Sequence, residues 1–274
     1  MRIETVWAVY WSATGTTDTV VTHLAAAIAG ELSCPCRMVD FTRPAAREEA
    51  IAFCETDLVV FGTPVYAGRV PNVLLPYLTT RVTGGGALAV PVVLYGNRNY
   101  DDALIELRNL LETDGFHTLA AAAFIGEHSF SKLLAAGRPD AADLGLLPAF
   151  ATGIADKVSH LTETPTEAIS VPGETPLRPY YTPRDRAGNS VDIRKVRPKT
   201  DENCVGCGLC ATVCPMGSID PADVNHFIGI CIKCGACIKR CPTGARYYDD
   251  PGYLYHKTEL EEGFARRAEP ELYI

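Results

Sequence analysis

The sequence predicts an α/β protein: a five-stranded parallel sheet covered by helices, followed by a small, cysteine-rich α+β domain. Two observations support this fold class. Strand-like apolar segments alternate with helical segments through the first 161 residues, which is typical of a parallel sheet with helices on both faces. Eight of the eleven cysteines then fall into two short runs between residues 204 and 241. A chain of 274 residues is long enough for two such units.

The predicted elements follow from the spacing of apolar residues. Apolar runs predict strands at Ile3–Trp11, Arg37–Phe41, Asp57–Gly62, Ala87–Gly96 and His117–Gly126. Helical spacing predicts helices at Thr17–Gly30, Arg47–Glu55, Pro71–Arg81, Asp101–Asp114 and Ala141–Leu161. On such a sheet, ligands bind at the carboxyl ends of the strands, beside the point where the strand order reverses.

The loop after the first strand is a candidate anion site. It reads Ser12-Ala13-Thr14-Gly15-Thr16-Thr17 and runs directly into a helix. Hydroxyls, backbone N–H groups and the helix dipole together favour an anion there. The loop has neither the lysine of a nucleoside-triphosphate loop nor the glycines of a dinucleotide fingerprint, so a monophosphate is the expected ligand. An ordinary Ser/Thr helix cap is the alternative.

Two further loops end predicted strands at the same edge of the sheet. One is Gly62-Thr63-Pro64-Val65-Tyr66-Ala67-Gly68-Arg69, and the other is Tyr95-Gly96-Asn97-Arg98-Asn99-Tyr100-Asp101. Both combine aromatic residues, glycine and polar residues, whereas a surface turn needs only polar ones. The sequence therefore predicts a binding site between these loops.

The two cysteine runs have the spacing of iron–sulfur ligands. Each run is C-x2-C-x2-C-x3-C-P, in which the last cysteine ligates the cluster of the other run. One [4Fe–4S] cluster is thus expected on Cys204, Cys207, Cys210 and Cys241, and a second on Cys231, Cys234, Cys237 and Cys214. Structural zinc and a disulfide framework are the alternatives. Zinc sites, however, usually have two ligand pairs separated by a longer loop, and no feature indicates an oxidising compartment.

These motifs resemble known families. Residues 200–246 resemble a bacterial-type two-cluster ferredoxin, residues 1–161 resemble a flavodoxin, and the whole chain resembles the flavodoxin–ferredoxin fusions of anaerobic microbes. The resemblance implies FMN as the ligand of the first domain. It places the phosphate on Ser12, Thr14, Gly15, Thr16 and Thr17, and the flavin ring along Pro64, Val65, Tyr66, Ala67, Gly68, Gly96, Asn97, Arg98, Asn99 and Tyr100. Flavodoxins often bracket the ring with two aromatic residues including a tryptophan; here Tyr66 and Tyr100 are the loop candidates.

The remaining segments predict the domain boundaries. Repeated prolines over residues 162–199 indicate an extended linker, in which Tyr180 and Tyr181 suggest contact with a domain surface. The aromatic residues of the tail, 247–274, predict that it packs back on the folded domains. His128, in an insertion beyond the fifth strand, is a candidate proton donor near the flavin edge. A packing role is the favoured alternative, since single histidines are common without catalytic roles.

Composition narrows the function classes. The net charge of −8 argues against nucleic-acid binding. A redox partner protein with a basic docking face is the more plausible partner. No apolar run is long enough to span a membrane and no signal peptide is evident. Three cysteines outside the runs, Cys34, Cys36 and Cys54, indicate reduced thiols, and the expected location is the cytoplasm.

The sequence thus predicts an electron-transfer flavoprotein that couples two one-electron clusters to a two-electron FMN. One alternative is a reductase of a small substrate that receives its electrons through the clusters. The other is a docking scaffold that has lost its flavin, although the hydroxyl-rich loop argues against this.

Overall fold

A computed structural model describes residues 2–185 and 187–274. The strands are β1 Thr5–Tyr10, β2 Cys36–Asp40, β3 Ile51–Ala52, β4 Asp57–Pro64, β5 Val82–Thr83, β6 Leu88–Tyr95, β7 His117–Thr118, β8 Ala121–Ile125, β9 Lys199–Thr200, β10 Arg246–Tyr247 and β11 Glu271–Tyr273. The helices are α1 Thr16–Leu32, α2 Leu75–Arg81, α3 Ala103–Thr113, α4 Ala141–Leu144, α5 Leu147–His160, α6 Leu209–Thr212, α7 Ala236–Lys239 and α8 Pro251–Gly263.

The main sheet has the predicted five long parallel strands, in the order β2-β1-β4-β6-β8. The chain passes from β1 to β2 on one side and then to β4 on the other, so the strand order reverses between β1 and β4. The loops that follow these two strands are the Ser12–Thr17 loop and the Pro64–Arg69 loop. The topology therefore places both at the switch point, where ligands of such sheets bind.

Helices cover both faces of the sheet, which is why its strands are apolar on both sides. On one face, α1 and α5 pack on alternate residues of the strands, with Val20, Leu24 and Ile154 fully buried. On the other face a second core includes the fully buried Trp11 and Phe61. This second core also takes in side chains of the cysteine-rich segment, namely Val213, Cys234 and Ala236. The cysteine-rich domain therefore packs directly on the α/β domain.

Three features of the fold differ from the sequence predictions. The helix predicted at Arg47–Glu55 is wrong: Ala45–Arg47 forms a single 3-10 turn and Ile51–Ala52 is β3, paired with β5. Arg47 donates to the carbonyl oxygens of Phe41 and Thr42 at 2.9 and 2.6 Å, and these bonds hold the segment in a turn. The last predicted helix is interrupted at Gly145. The C-terminal residues add β11 antiparallel to β8, which extends the sheet beyond the predicted strands.

The segment 162–199 runs along the first domain as a strap. The Arg178 guanidinium pairs with the buried carboxylate of Asp102, and the backbone N–H of Arg178 donates to the same group at 2.6 Å. Farther along, the Tyr180 hydroxyl donates to the carbonyl oxygen of Val70 at 3.1 Å. The strap is thus bonded to the domain that it follows. Within the described residues, the helices lack the combined length and hydrophobicity needed to cross a membrane.

Candidate functional site

The loop after β1 is shaped by Ser12 and Gly15. The Ser12 hydroxyl oxygen accepts hydrogen bonds from the N–H groups of Gly15 and Asp18 at 3.2 and 3.1 Å. Gly15 precedes α1 with a φ of 100°, a conformation that favours glycine. Because glycine has no side chain, Gly15 provides no side-chain acceptor for the N–H groups at the start of the helix. The other N–H groups of the first turn, Thr16 and Thr17 among them, therefore lie at the positive end of the helix dipole and suit a phosphate.

A cavity extends from this loop between the carboxyl ends of β4 and β6. Thr14, Thr16 and Thr17 line one end, and Pro64–Tyr66 and Tyr95–Gly96 line the other. The threonines and the helix N-terminus offer hydroxyls and N–H groups, and the residues after β4 and β6 are mainly aromatic and apolar, while Glu127, His128 and Ser129 add polar groups to the lining. FMN has a phosphate at one end and a planar ring at the other, so the residues present fit this cofactor.

A second cavity of about 270 Å³ adjoins the first and shares six lining residues with it: Val65, Tyr66, Tyr95, Gly96, His128 and Ser129. The predicted loop residues Ala67, Gly68, Arg98 and Asn99 lie here. Its outer wall comes from segments far away in the sequence: Tyr181, Pro183, Ile193, Arg194, Ile232, Lys233, His256 and Leu260. The ring end of the predicted flavin site is thus enclosed by the strap, the second cysteine run and α8.

The strap fixes the loop that is predicted to face the flavin ring. Ala67 and Gly68 both have positive φ angles, 52° and 78°, and the Ala67 carbonyl oxygen accepts from the N–H of Tyr181 at 2.8 Å. The guanidinium of Arg98 lies 4.4 Å from the centre of the Tyr181 ring. One strap residue therefore contacts both flavin loops.

Two of the predicted flavin-loop residues direct their side chains elsewhere. The Tyr100 hydroxyl donates to Glu271 at 2.7 Å, beside the Tyr273 hydroxyl at 2.9 Å. The Asn97 amide donates to the carbonyl oxygens of Phe264 and Arg266 at 2.7 and 2.6 Å. Both side chains hold the C-terminal segment, so of the two candidate aromatics Tyr66, and not Tyr100, lines the two cavities, together with Tyr95 at the end of β6.

His128 lies against Gly96, where its ring occupies the space that a β-carbon on Gly96 would need. Its Nδ1 atom accepts from the N–H of Phe130 at 3.1 Å, which places the ring proton on Nε2. Burial lowers the pKa of His128 to about 3, with the charges of Lys239, His256 and Arg98 acting in the same direction. The imidazole is therefore neutral near pH 7, and the proton-donor role remains a prediction in which only the Nε2–H could take part.

The second cysteine run encloses a small cavity. Its lining includes four cysteines, Cys214 from the first run together with Cys231, Cys234 and Cys237 from the second. Apolar side chains such as Ile219, Phe227 and Ile230 form much of the rest. Four thiols around one apolar cavity fit a [4Fe–4S] cluster, and the set is the crossed one that the spacing predicts.

The surroundings of these cysteines act on their sulfur atoms through a hydrogen bond and through burial. The N–H of Ser218 points to the sulfur of Cys214 at 3.4 Å, a contact of the kind that tunes cluster potentials. Burial raises the pKa of Cys234 and Cys237, which disfavours their free thiolates and makes the charge of these ligands depend on bound iron.

The first cysteine run lies closer to the surface. Cys204 and Cys207 are exposed, and Cys210 and Cys241 are half-buried. Both runs have the same local design, because α6 and α7 each span four residues and each follows a glycine with positive φ, Gly208 at 71° and Gly235 at 74°. Assignment of the two clusters to individual cysteines remains a prediction.

The helix α7 docks the second run onto the flavin domain. Gly235 lies against the carbonyl oxygen of Ser129 with no room for a β-carbon, and the Lys239 ammonium pairs with Glu127. Arg240 follows, and its Nη2 atom lies 3.6 Å from the position that a β-carbon on Gly15 would take. The loop between Cys237 and Cys241 therefore contacts the predicted phosphate site.

Cys234 belongs to both sites. It lines the small cavity of the second cysteine run and also the cavity that starts at the Ser12–Thr17 loop. Sequence reasoning did not predict this proximity, nor the roles of Tyr181, Lys233, His256 and Arg240 around the flavin cavity. Only the tyrosine pair in the strap carried a signal, since a solvated linker rarely has adjacent tyrosines.

Comparison with known proteins supports both halves of the chain. Residues 8–93 match the family model described as a flavodoxin domain, and residues 203–246 match that of a 4Fe-4S dicluster domain. The chain is 50% identical over 46 residues to NADH-quinone oxidoreductase subunit I 1 of Rhodopseudomonas palustris (strain BisA53). This match covers 17% of the present chain and only 25% of that subunit.

Solved flavodoxin structures are also similar. A flavodoxin from the domain Archaea is 14% identical, with a TM-score of 0.42, and the match covers 57% of this chain and 99% of that one. A flavodoxin of Streptococcus pneumonia TIGR4 is 18% identical, with a TM-score of 0.39, and the match covers 56% and 99% of the two chains.

The two family matches confirm the resemblance to flavodoxin–ferredoxin fusions. A flavodoxin domain implies FMN, and a dicluster domain with eight cysteines implies two [4Fe–4S] clusters. Together these domains make the chain an electron-transfer flavoprotein.

Proposed function

We propose that this protein converts between one-electron and two-electron transfer, by passing electrons between its two [4Fe–4S] clusters and its FMN. FMN exchanges two electrons with protons from solvent, whereas each cluster exchanges one electron, so the cofactors together can connect one-electron carriers with two-electron reactions.

The observation that carries the proposal is the position of Cys234. This cysteine faces a cluster cavity on one side and the flavin cavity on the other, without an intervening layer of protein. Contacts from Gly235 to Ser129 and from Lys239 to Glu127 hold the two domains at this separation. The chain's own contribution is therefore to fix the cofactors next to each other and to exclude water from the space between them.

The order of the cofactors also follows from burial. Cys234 and Cys237 are buried, whereas Cys204 and Cys207 are exposed. We infer that an external one-electron carrier protein exchanges electrons at the cluster of the first run, and that the cluster of the second run connects it to the flavin. Val205 and Leu209, apolar and exposed within the first run, are available for such a contact.

An anaerobic stopped-flow experiment tests the proposal. The reconstituted protein should contain two four-iron clusters and one FMN per chain, and a one-electron donor should reduce all three centres. The variant Thr14→Asp, which places a carboxylate in the phosphate loop, should lose FMN while keeping reducible clusters. The proposal fails if the wild-type clusters are reduced but the bound flavin stays oxidised with a donor strong enough to reduce free FMN.

A second candidate function is the reduction of a small substrate at the flavin. It is favoured by the cavity of about 270 Å³, whose wall combines apolar side chains with several polar groups, among them Arg98, Lys233 and His256. Sustained turnover with one small acceptor, in the absence of any partner protein, would support this function. Electron exchange with carrier proteins alone would support the converter.

A further inference from the structure

Arg246 is a buried cation beside the cluster cavity of the second run. Its side chain is only 3% exposed. Its Nη1 atom donates to Thr200 Oγ1 at 3.0 Å and to the carbonyl oxygen of Val224 at 2.7 Å. In the described part of the chain, however, Nε and Nη2 have no hydrogen-bond partner. No carboxylate among those residues lies within 4.0 Å of the guanidinium.

A buried charge of this kind needs a counter-charge. The desolvation of an unpaired guanidinium costs several kcal/mol, and buried cations in proteins are accordingly paired with anions or coordinated. The hydrogen bonds from Nη1 go to neutral oxygens, so they do not neutralise the charge. The protein around Arg246 is thus incomplete without an anion close by.

The cluster cavity lies in the right place to hold that anion. The Arg246 guanidinium is 5.7 Å from the centre of the Phe227 ring, and Phe227 lines the cavity with the four cysteines. The strand β10, which contains Arg246, also packs against α7, which contains Cys237. A [4Fe–4S] cluster with four thiolates is a net anion, and Arg246 is near its ligands.

The first run has no equivalent cation. Arg246 is the fifth residue after Cys241, and the fifth residue after Cys214 is Ile219, which is equally buried at 3% exposure. The two halves of the pseudo-repeat therefore differ at matched, buried positions by one positive charge. The cysteine pattern of the two runs does not reveal this difference in charge, because Arg246 and Ile219 both lie outside it.

From this asymmetry we propose that Arg246 raises the reduction potential of the second-run cluster above that of the first-run cluster. A buried positive charge stabilises the reduced form, which carries one more negative charge, and the low dielectric preserves the effect. One electron then passes from the first-run cluster, which is oxidised, to the second-run cluster, which is reduced, and no proton or ligand has to move. The resting electron sits next to the flavin cavity because Cys234 lines it.

The test is an anaerobic redox titration of the holoprotein followed by electron paramagnetic resonance. The wild type should show two resolved potentials. Arg246→Ile, which introduces the residue found at the matched position of the first run, should lower the higher reduction potential by about 59 mV. For one electron this equals a tenfold shift of its distribution toward the other cluster. Arg246→Lys, which keeps the charge, should retain most of the separation.

Arg197 provides a matched control. Its guanidinium lies 5.2 Å from the centre of the same Phe227 ring, but the residue is exposed to solvent. Arg197→Ile removes the same charge where water screens it, so both potentials should stay nearly unchanged. Arg246→Gln, which keeps donors for Thr200 and Val224 without the charge, should lower the potential even if Arg246→Ile loses iron.

Three results would overturn the inference: unchanged potentials in Arg246→Gln, a shift confined to the lower potential, or an equal shift in Arg197→Ile. The inference deepens the proposed function but rests only on the presence of both clusters. If the flavin fails to exchange electrons with the clusters, the converter is wrong while the difference between the two cluster potentials can still be measured.

Discussion

Gly235 and Ser129 are in direct backbone contact across the two domains: the carbonyl oxygen of Ser129 occupies the space where Gly235 would carry a β-carbon. Gly235 precedes α7 in the second cysteine run, and Ser129 lies in the loop after β8 that lines the flavin cavity. Any side chain at residue 235 would push the cluster loop away from the flavin. The contact therefore sets the separation between the cofactor sites.

Gly235→Ala should destabilise the docked arrangement more than Gly208→Ala does. Both glycines have positive φ angles, so alanine adds a similar strain of about 1–2 kcal/mol at each. Only Gly235 has a backbone neighbour in the way, since no atom lies within 4 Å of a β-carbon on Gly208. Anaerobic thermal melting of the two holoproteins measures the difference, and equal melting temperatures would show that the contact does not hold the domains together.

Arg240 should strengthen the binding of FMN through its phosphate. The Ser12–Thr17 loop contains no cation, and the Arg240 guanidinium, which has no acidic partner within 4.0 Å among the described residues, lies beside Gly15. A charge-assisted contact predicts that Arg240→Ala raises the Kd of FMN about tenfold. Riboflavin, which lacks the phosphate, should bind both proteins equally well, as measured by fluorescence titration.

Two controls make the comparison specific. Arg240→Lys should restore part of the FMN affinity, whereas Arg37→Ala removes an exposed arginine near the start of the edge strand β2, away from the carboxyl ends of the strands, and should leave both ligands unaffected. An equal loss of riboflavin and FMN affinity in Arg240→Ala would show that the residue acts on the fold and not on the phosphate.

The parts of the site that are local in sequence were predictable. The Ser12–Thr17 loop and the cysteine runs combine their functional groups within a few residues, and so their chemistry can be inferred from spacing alone. The five long strands were also predictable, because most of them contain a continuous apolar run, whereas their order in the sheet came from the structure.

The parts that depend on distant segments were not predictable. Tyr181, Lys233 and His256 reach the flavin cavity from the strap, the second run and α8, and no pattern in the sequence specifies where those segments dock. Tyr100 was expected at the flavin because its loop is there, yet its hydroxyl bonds to Glu271 on β11, a strand too short to predict from three residues. Tertiary contacts decided both outcomes.

Exchange of the last cysteine between runs gives a third prediction. Because Cys214 lines the cavity with Cys231, Cys234 and Cys237, Cys214→Ala should alter the second-run cluster, although the residue lies in the first run. Cys241→Ala is the matched variant and should alter the first-run cluster. Loss of one thiolate can leave a three-iron cluster, so electron paramagnetic resonance should precede iron analysis.

The titration of Arg246→Ile identifies which cluster is changed. If that substitution acts on the second-run cluster, its effect should disappear in Cys214→Ala and persist in Cys241→Ala. The reverse pattern would mean that each cysteine run holds its own cluster, and the two centres would then be independent units.

The last prediction concerns acid stability and His128. The pKa of this histidine falls from its usual value of 6.5 to about 3 in the folded protein, because the ring is buried and faces Lys239, His256 and Arg98. The unfolded chain therefore binds a proton at His128 as the pH drops below 6.5, and the folded chain does so only near pH 3. The corresponding stability is fully present above pH 6.5 and decreases as the pH falls toward 3. At pH 5 the loss should be about 2 kcal/mol, from 1.36 kcal/mol per pH unit.

His128→Gln should remove this part of the pH dependence, whereas His23→Gln, which changes an exposed histidine on α1, should keep it. Urea unfolding of the three proteins at pH 7 and pH 5 gives the comparison. Acid also destabilises the clusters in every variant, so the informative quantity is the difference in unfolding free energy between variants. An identical pH dependence in His128→Gln and wild type would mean that His128 is not held neutral by its surroundings.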